Sequence, residues 1–341
     1  MKQKAALRRR WDTPEGQAMT RQVLQRIRPS SWPLRRGLDG LGIERHGGRL
    51  DLRGFKTVLP RSAGLVQAPD GDLVFERLEG LTELEGLRLR GIDFSGAELR
   101  HLRLTKCVLE DCLFDYADCR DWRLWRCKVV HCSFVRSDLR DAALGTGPEG
   151  GRNTWHGADF SGADLRGSVL HQARFNECTF ADTRLDGTAF ERCDIAQCRF
   201  DGRLANVSFD GRHLRKEPAP IEIEADFSKA YFHNVDFTGY TLCKAALPVD
   251  NDIYVVSRMP CVARQVVALI EDDDSMPARQ LKGVMSGELR GLSATVHVDE
   301  RAAMVFNRRD WRAWGGEELL ELSEKTIRQA IAYCSTSTQS G

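Results

Sequence analysis

Large apolar residues recur at every fifth position through the middle of this chain. Stepping by five from Leu84 reaches an apolar residue at each step as far as Leu144. A second run extends from Trp155 to Phe200, one residue out of phase after a glycine-rich insertion. A period of five matches neither the 3.6-residue period of an α-helix nor the two-residue period of a β-strand. The pattern therefore predicts a backbone that turns once in every repeat.

The position two residues before each large apolar residue is usually held by a small side chain. In the second run this position reads Asn153, Ala158, Ala163, Ser168, Ala173, Cys178, Thr183, Thr188, Cys193 and Cys198. One large and one small inward residue in every five suits a narrow coiled tube, because two inward groups share each corner. Leu87, Ile92, Leu102 and Trp122 are larger than this position normally takes. We therefore expect the first coils to be distorted or widened.

The pattern resembles that of the pentapeptide-repeat family, whose consensus is approximately A-[DN]-L-x-x. Residues 158–162, 163–167 and 225–229 read ADFSG, ADLRG and ADFSK, which match this consensus directly. The resemblance covers about residues 84–247. It implies a mainly β fold, a right-handed quadrilateral β-helix with four pentapeptides in each coil.

Non-repeat segments flank the predicted coils on both sides. We divide the chain into a basic helical segment at 1–37, degenerate coils or a cap at 38–83, the pentapeptide-repeat β-helix at 84–247 and a small α+β domain at 248–341. A coiled sheet with open ends exposes unpaired strand edges, which favour aggregation. The flanking segments are therefore candidates for covers at the two ends.

Local signals predict several elements in the flanking segments. Thr13 as N-cap and Pro14 at the first helical position predict a helix over residues 13–28. In the C-terminal segment we predict strands at Ile253–Val256 and Ala294–Val298, helices at Pro260–Ile270 and Glu317–Tyr333, and a helix start near Ser275.

Eleven cysteines raise the question of a metal site or disulfides. Eight of them fall at inward repeat positions: Cys107, Cys112, Cys119, Cys127, Cys132, Cys178, Cys193 and Cys198. This phase favours buried thiols that serve as small hydrophobic residues. No C-x-x-C spacing occurs, and cytoplasmic thiols are kept reduced. A metal or redox role is the alternative.

Composition excludes several classes of function. The 341 residues include 50 Lys and Arg against 49 Asp and Glu, a net charge of +1, so no whole-molecule field favours nucleic acid or membranes. No apolar run approaches the length of a membrane span, and no Walker loop, G-x-G-x-x-G or H-E-x-x-H motif is present. We expect a soluble, cytoplasmic, bacterial protein without a cofactor and without a metal; its oligomeric state stays open.

Two surfaces are candidates for binding a partner. The first combines cations with an exposed aromatic ring and consists of Arg103, Lys106, Arg123, Trp125 and Arg126. The second is a basic N-terminal arm with Arg8, Arg9, Arg10, Arg26, Arg28, Arg35 and Arg36; residues 1–36 hold 10 basic and 2 acidic side chains. The competing interpretations are internal packing over the first surface and an ordinary solvated helix for the arm.

Taking every twentieth residue predicts the outer columns of the coils. Glu98, Asp118 and Asp138 form one predicted column, with Arg100, Arg120 and Arg140 beside it. Such columns of opposite charge can neutralise each other.

The leading functional hypothesis is a noncatalytic protein-interaction module on a rigid repeat scaffold. The family resemblance implies an alternative, DNA-mimic protection or inhibition of a type II topoisomerase such as gyrase. This alternative is weakened by charge, because residues 84–247 carry 23 basic and 25 acidic side chains, far from the charge density of DNA. Nucleic-acid binding through the basic arm is a second alternative. An enzyme in the C-terminal domain is a third, with His297, Asp299, Glu300 and Asp310 as available groups.

Overall fold

The structure is a computed structural model that describes residues 2–27, 38, 40–57, 65–67, 73–75, 83–146, 150–214, 221–290, 296–297 and 301–336. The chain forms two compact units. One consists of Met1–Val169 and Asn176–Arg184, and the other of Leu170–Phe175 and Leu185–Gly341. Parallel strands and non-repeat elements occur in both units, which gives a β-helix-like architecture with a few helices.

Helices lie in the two flanking parts of the chain, and strands lie mainly between them. The described helices are α1 (Lys2–Arg9), α2 (Pro14–Ile27), α3 (Met259–Leu269), α4 (Met276–Arg290) and α5 (Arg308–Thr336). The described strands are β1 (Arg45–His46), β2 (Arg49–Asp51), β3 (Leu65–Gln67), β4 (Leu73–Phe75), β5 (Glu83–Glu85), β6 (Arg88–Arg90), β7 (Ile92–Asp93), β8 (Arg103–Thr105), β9 (Val108–Glu110), β10 (Arg123–Trp125), β11 (Lys128–Val130), β12 (Thr154–His156), β13 (Arg174–Asn176), β14 (Thr179–Ala181), β15 (Ala189–Glu191), β16 (Asp194–Asp210), β17 (His213–Leu214), β18 (Ile221–Asp226), β19 (Ala230–Thr238), β20 (Tyr240–Thr241), β21 (Ile253–Val256), β22 (Val296–His297) and β23 (Met304–Asn307).

In the first unit the strands stack in parallel, with one coil for every 20 residues. The in-register positions are Leu84, Leu104 and Leu124 on one row and Leu89, Leu109 and Val129 on another. The next coil is larger, since Val129 pairs with Trp155 after 26 residues. Six extra residues around 145–151 therefore explain why the apolar pattern shifts phase by one.

A left-handed residue in each repeat produces the period of five. Every fifth residue from His101 to Asp141 has a positive φ, between 50° and 60°. Further along the first unit, glycine takes this position at Gly157, Gly162 and Gly167. Residues with a Cβ rarely adopt this conformation because of steric crowding. Each non-glycine turn is therefore held by the backbone hydrogen bonds between neighbouring coils. The chain consequently turns a corner after each large apolar residue.

The interior of each unit is filled by stacked apolar side chains. In the first unit five phenylalanine rings form one column, with consecutive centroids 5.3, 4.9, 5.3 and 5.0 Å apart: Phe94, Phe114, Phe134, Phe160 and Phe180. In the second unit Phe190, Phe209 and Phe237 stack at 4.9 and 4.7 Å. These rings are buried, so the large inward position predicted from the sequence is the core of the coils.

The oversized residues of the first coils are accommodated without a change of register. Trp122 is fully buried and packs edge-on against Phe114, with ring centroids 5.3 Å apart. Its indole Nε1 donates a hydrogen bond to the Leu99 carbonyl at 2.5 Å. Strands β8 and β10 nevertheless keep the 20-residue register, so the expected distortion does not reach the strand pairing. The reason is that the indole has both an apolar neighbour and a hydrogen-bond acceptor inside the tube.

Helix α2 covers the first coils of the first unit. The helix predicted over residues 13–28 is present as Pro14–Ile27, and the Thr13 hydroxyl accepts a hydrogen bond from the Gly16 amide at 3.1 Å. Val23 and Ile27 line the same apolar cavity of about 30 Å³ as Leu84 and other interior residues of the first coils. Helix α1, which the sequence analysis did not predict, precedes it.

The segment predicted as degenerate coils is described only in part. Strand β2 pairs in parallel with β7 through Leu50 and Ile92, so residues 49–51 do stack on the coils that follow. Most of residues 58–82 lie outside the described residues.

In the second unit the coil length departs from 20. Phe190 pairs with Phe209 after 19 residues, and Phe209 pairs with Phe237 after 28. Pairing there is more continuous than in the first unit, because β16 and β19 are 17 and 9 residues long.

The C-terminal part of the second unit is a helical cluster beside a two-stranded sheet. Strand β21 has the predicted bounds and pairs antiparallel with β23, which was not predicted. Helices α3, α4 and α5 share one apolar core, and α5 is kinked at Gly315–Gly316. Of the predicted strand at 294–298 the structure describes β22; the other residues lie outside the described part.

This cluster covers the last coils of the second unit. The Asn307 amide donates to the Phe232 carbonyl at 3.3 Å, and the Ala303 amide donates to the Tyr240 carbonyl at 2.9 Å. Both sets of coils therefore meet non-repeat elements of their own unit.

Candidate interaction surface

The predicted cationic surface is built by adjacent coils in the first unit. Strands β8 and β10 place Arg103 beside Arg123 and Thr105 beside Trp125. The inward side chains between them are buried, so these residues face outward and the Trp125 side chain is half-buried. We call Arg103, Lys106, Arg123, Trp125 and Arg126 the Trp125 surface.

An aspartate neutralises part of this surface. The Asp121 carboxylate lies 2.8 Å from His101 Nδ1, 3.2 Å from Arg103 Nη2 and 2.5 Å from Arg123 Nη2. Burial raises the pKa of Asp121, but these partners more than offset it and hold the pKa below its ordinary value. Arg103 and Arg123 are thus fixed in place by an acid that the sequence analysis left out.

The remaining cations of the Trp125 surface are more exposed. Lys106 Nζ lies 3.0 Å from a Glu85 carboxylate oxygen, and both side chains are about half exposed. Arg126 donates from Nε to the Gly150 carbonyl at 3.2 Å, and its aliphatic part lies against Gly151. The structure therefore brings the five predicted residues to one face and adds Glu85 and Asp121 to it. Each acid lies about one coil from its cation in the sequence, 18 residues for Asp121 and Arg103 and 21 residues for Glu85 and Lys106. A search for acids at this spacing from each predicted cation would have found both.

A ladder of aspartate and arginine side chains lies one repeat before the Trp125 surface in the sequence of each coil. Asp118 is bridged to Glu98 on one side and to Asp138 on the other, as the 20-residue columns predicted. Asp118 accepts from Arg100 at 2.5 Å and from Arg120 at 2.9 Å. The ladder continues through Arg140, Asp138, Asp164, Arg166 and Arg184. Its carboxylates are paired within the protein.

The basic arm contacts the first coils in two places. Arg8 Nη1 lies 2.5 Å from Glu98, and Arg10 makes a two-pronged ion pair with Asp51 at 2.6 and 2.9 Å. The Arg10 guanidinium also lies over the Trp11 ring. Arg9 is exposed and Arg26 is half-buried. Arg28, Arg35 and Arg36 lie outside the described residues. We call the segment that contains α1 and α2 the N-terminal cap. Arg8 and Arg10 therefore hold this cap against the coils.

The eleven cysteines comprise eight buried free thiols, one disulfide-bonded pair and one exposed free thiol, Cys243. The eight at inward repeat positions are all buried free thiols, in agreement with the phase argument. In the described part of the chain no group of three or more His, Cys, Asp or Glu residues is arranged to hold a metal ion. Cys261 and Cys334 form a disulfide, which the sequence analysis did not predict.

Of the four groups that the sequence offers for catalysis, Asp310 has a described side chain. Asp310 is buried at the start of α5, where its carboxylate accepts a hydrogen bond from the Asn234 amide at 2.9 Å. Burial raises its pKa. The side chains of His297, Asp299 and Glu300 lie outside the described residues.

None of the described helices has the length and apolarity that a membrane span requires.

Comparison with known proteins supports the repeat architecture. The sequence profile described as pentapeptide repeats matches eight copies, over residues 82–111, 92–124 and 156–202. No curated protein matches the chain.

Solved pentapeptide-repeat structures are similar to parts of the chain. A trypsin-treated form of QnrB1, a plasmid-mediated fluoroquinolone resistance protein, is 19% identical over 60% of this chain and 84% of its own, with a TM-score of 0.33. HetL from the cyanobacterium Nostoc, a protein involved in heterocyst differentiation regulation, is 16% identical over 59% of this chain and 85% of its own, with a TM-score of 0.22. A protein from the Arabidopsis thaliana thylakoid lumen is 25% identical over 33% of this chain and 68% of its own, with a TM-score of 0.21.

The chain is a repeat protein of the parallel β-helix-like class. Its repeats belong to the pentapeptide-repeat family.

Proposed function

We propose that the chain is a noncatalytic protein-interaction module built on a right-handed quadrilateral β-helix. The 20-residue coils of the first unit support four pentapeptides in each coil. Stacked rings fill the interior and non-repeat elements cover the coils, so groups that bind a partner are presented on the outside. A scaffold whose columns repeat at strand spacing holds such groups at fixed separations.

The Trp125 surface is the proposed contact. The observation that carries this proposal is a half-buried tryptophan flanked by the exposed side chains of Lys106 and Arg126. Tryptophan and arginine are over-represented among the residues that dominate binding energy. Asp121 fixes Arg103 and Arg123, which lowers the entropy lost when a partner binds. A protein surface with an apolar centre and acidic groups at its rim fits this arrangement.

The two alternative partners are less well supported by the geometry. A DNA mimic needs rows of unpaired carboxylates, whereas Asp118 and Asp138 are both paired with arginine. Nucleic-acid binding by the arm needs free cations, whereas Arg8 and Arg10 hold the cap. A type II topoisomerase remains a specific partner to look for in the experiment below.

The test is capture of partners from a bacterial lysate treated with nuclease. We expect the wild-type protein to retain a protein partner after nuclease treatment. The double variant Lys106→Glu with Arg126→Glu reverses two exposed charges and should lose that partner. Arg328→Glu is a matched control, because Arg328 is 71% exposed on α5 and lies outside the repeats.

The outcomes separate the candidates. Loss of all captured material with nuclease would assign binding to nucleic acid. Equal capture by the double variant and the control would overturn the Trp125 surface. Recovery of a type II topoisomerase that the double variant still binds would favour the DNA-mimic alternative.

A further inference from the structure

Three carboxylates meet where α4 approaches the last coils of the second unit. Asp236 on β19 and Glu288 on α4 both lie at the hydroxyl of Thr238, which is buried. The Thr238 Oγ1 is 2.9 Å from Asp236 Oδ2 and 3.4 Å from Glu288 Oε1. The third carboxylate, Asp210, is at the end of β16.

The hydroxyl of Thr238 can donate a hydrogen bond to only one of these two carboxylates at a time. A threonine hydroxyl has a single proton to donate, and an ionised carboxylate has none. When Thr238 donates to Asp236, its contact with Glu288 is a hydrogen bond only if Glu288 carries a proton and donates it. The shorter contact is the one to Asp236, so we take Thr238 to donate to Asp236 and the proton to lie on Glu288.

The nearby cation does not neutralise this pair. Arg212 places Nε 2.8 Å and Nη2 2.5 Å from the two oxygens of Asp210, so its charge is matched by that residue. Its Nη1 donates to the Gly287 carbonyl at 3.4 Å, in the last turn of α4. On the side that α3 and α5 cover, α4 contributes apolar residues, namely Ala278, Leu281 and Met285. The described charges that face Glu288 are therefore Asp236, Asp210 and Arg212.

We propose that a proton held by Glu288 beside Asp236 fastens the C-terminal turn of α4 to the last coils, so that this contact loosens as pH rises. Loss of the proton places two negative charges on either side of one hydroxyl. The device is a pH-sensitive latch inside the second unit.

The direction of the pH effect follows from linkage. Burial and the neighbouring Asp236 raise the pKa of Glu288 from its ordinary value of 4.5 to about 8. Between pH 4.5 and about pH 8, the docked helix therefore carries a proton that the released helix lacks. The docking equilibrium falls by about tenfold for each pH unit in this window and levels off above about pH 8.

Hydrogen exchange of residues 276–290 measures this equilibrium. We expect protection, corrected for the intrinsic pH dependence of exchange, to fall about tenfold per pH unit between about pH 5.5 and pH 7.5 in the wild-type protein. Glu288→Gln mimics the protonated acid, since its amide can donate to Thr238. It should keep the high protection at all pH values. Glu318→Gln, which removes an exposed carboxylate from α5, should behave as the wild type does.

Protection that does not vary with pH in the wild type would overturn the proposal, as would an unchanged slope in Glu288→Gln. A second measurement does not depend on the variants folding. Carbon NMR of the wild-type Glu288 carboxyl should show its titration near pH 8, and a titration at its ordinary pH would equally overturn the latch.

Discussion

Two tryptophans three residues apart show how position within a repeat decides what a side chain does. Trp122 has 0% of its surface exposed and donates to a backbone carbonyl inside the coil. Trp125 points outward and is half-buried. Both lie in the same coil, and only the five-residue phase distinguishes them. The inward one contributes to packing, and the outward one is available to a partner.

We expect Trp122→Ala to lower the free energy of unfolding by about 3–5 kcal/mol, because it leaves a cavity and an unpaired Leu99 carbonyl. Trp125→Ala is the matched control and should cost less than about 1.5 kcal/mol. Urea denaturation followed by circular dichroism compares the two. Equal losses of stability would contradict the inward and outward assignment.

At the scale of elements, a disulfide joins the helices of the C-terminal cluster. Cys261 on α3 is bonded to Cys334 near the end of α5, at a sequence separation of 73. The sequence predicts reduced thiols, and neither cysteine lies in a repeat whose phase could place it. The bond depends on how α3 packs against α5, which no local pattern specifies.

We expect Cys334→Ser to destabilise the C-terminal cluster by about 4 kcal/mol, the chain-entropy estimate for a loop of this length. Reduction of the wild-type protein should have a similar effect. Cys243→Ser, which removes an exposed free thiol, is the control and should change little. Thermal unfolding with and without reductant makes the comparison. A melting temperature unaffected by reductant would show that the bond does not contribute.

On the scale of the whole molecule, the covers are as important as the repeats. In the first unit the N-terminal cap is fastened by the Arg10–Asp51 ion pair and by a hydrogen bond from Trp11 Nε1 to the Arg53 carbonyl at 2.8 Å. In the second unit the C-terminal cluster covers the last coils. Coils without such covers would expose strand edges to other chains.

The N-terminal cap should be sensitive to acid. Burial raises the pKa of Asp51, but hydrogen bonds from Arg53 and Arg10 outweigh it and hold the pKa well below its ordinary value of 3.8. The ionised form thus stabilises the folded state above that value, and the contribution is lost as pH falls below it. We expect Asp51→Asn to remove this part of the acid sensitivity and to lower stability at neutral pH.

Stability measured between about pH 2 and pH 7 checks this expectation. Asp272→Asn, at an exposed turn residue, is the control. An acid dependence of Asp51→Asn identical to that of the wild type would show that the ion pair does not hold the cap.

The sequence by itself determined the coiled fold, because every repeat must hide one large and one small side chain and the five-residue period records this at each step. It also placed the buried cysteines, α2 and β21, whose signals are local. Only the tertiary structure decided which charges are paired within the protein. Asp121 and Asp51 form ion pairs with arginines that the sequence offered as binding groups. The disulfide and the carboxylates around Thr238 were likewise decided there. Contacts between elements depend on packing geometry, and a periodic pattern constrains only the residues within one coil and its neighbours.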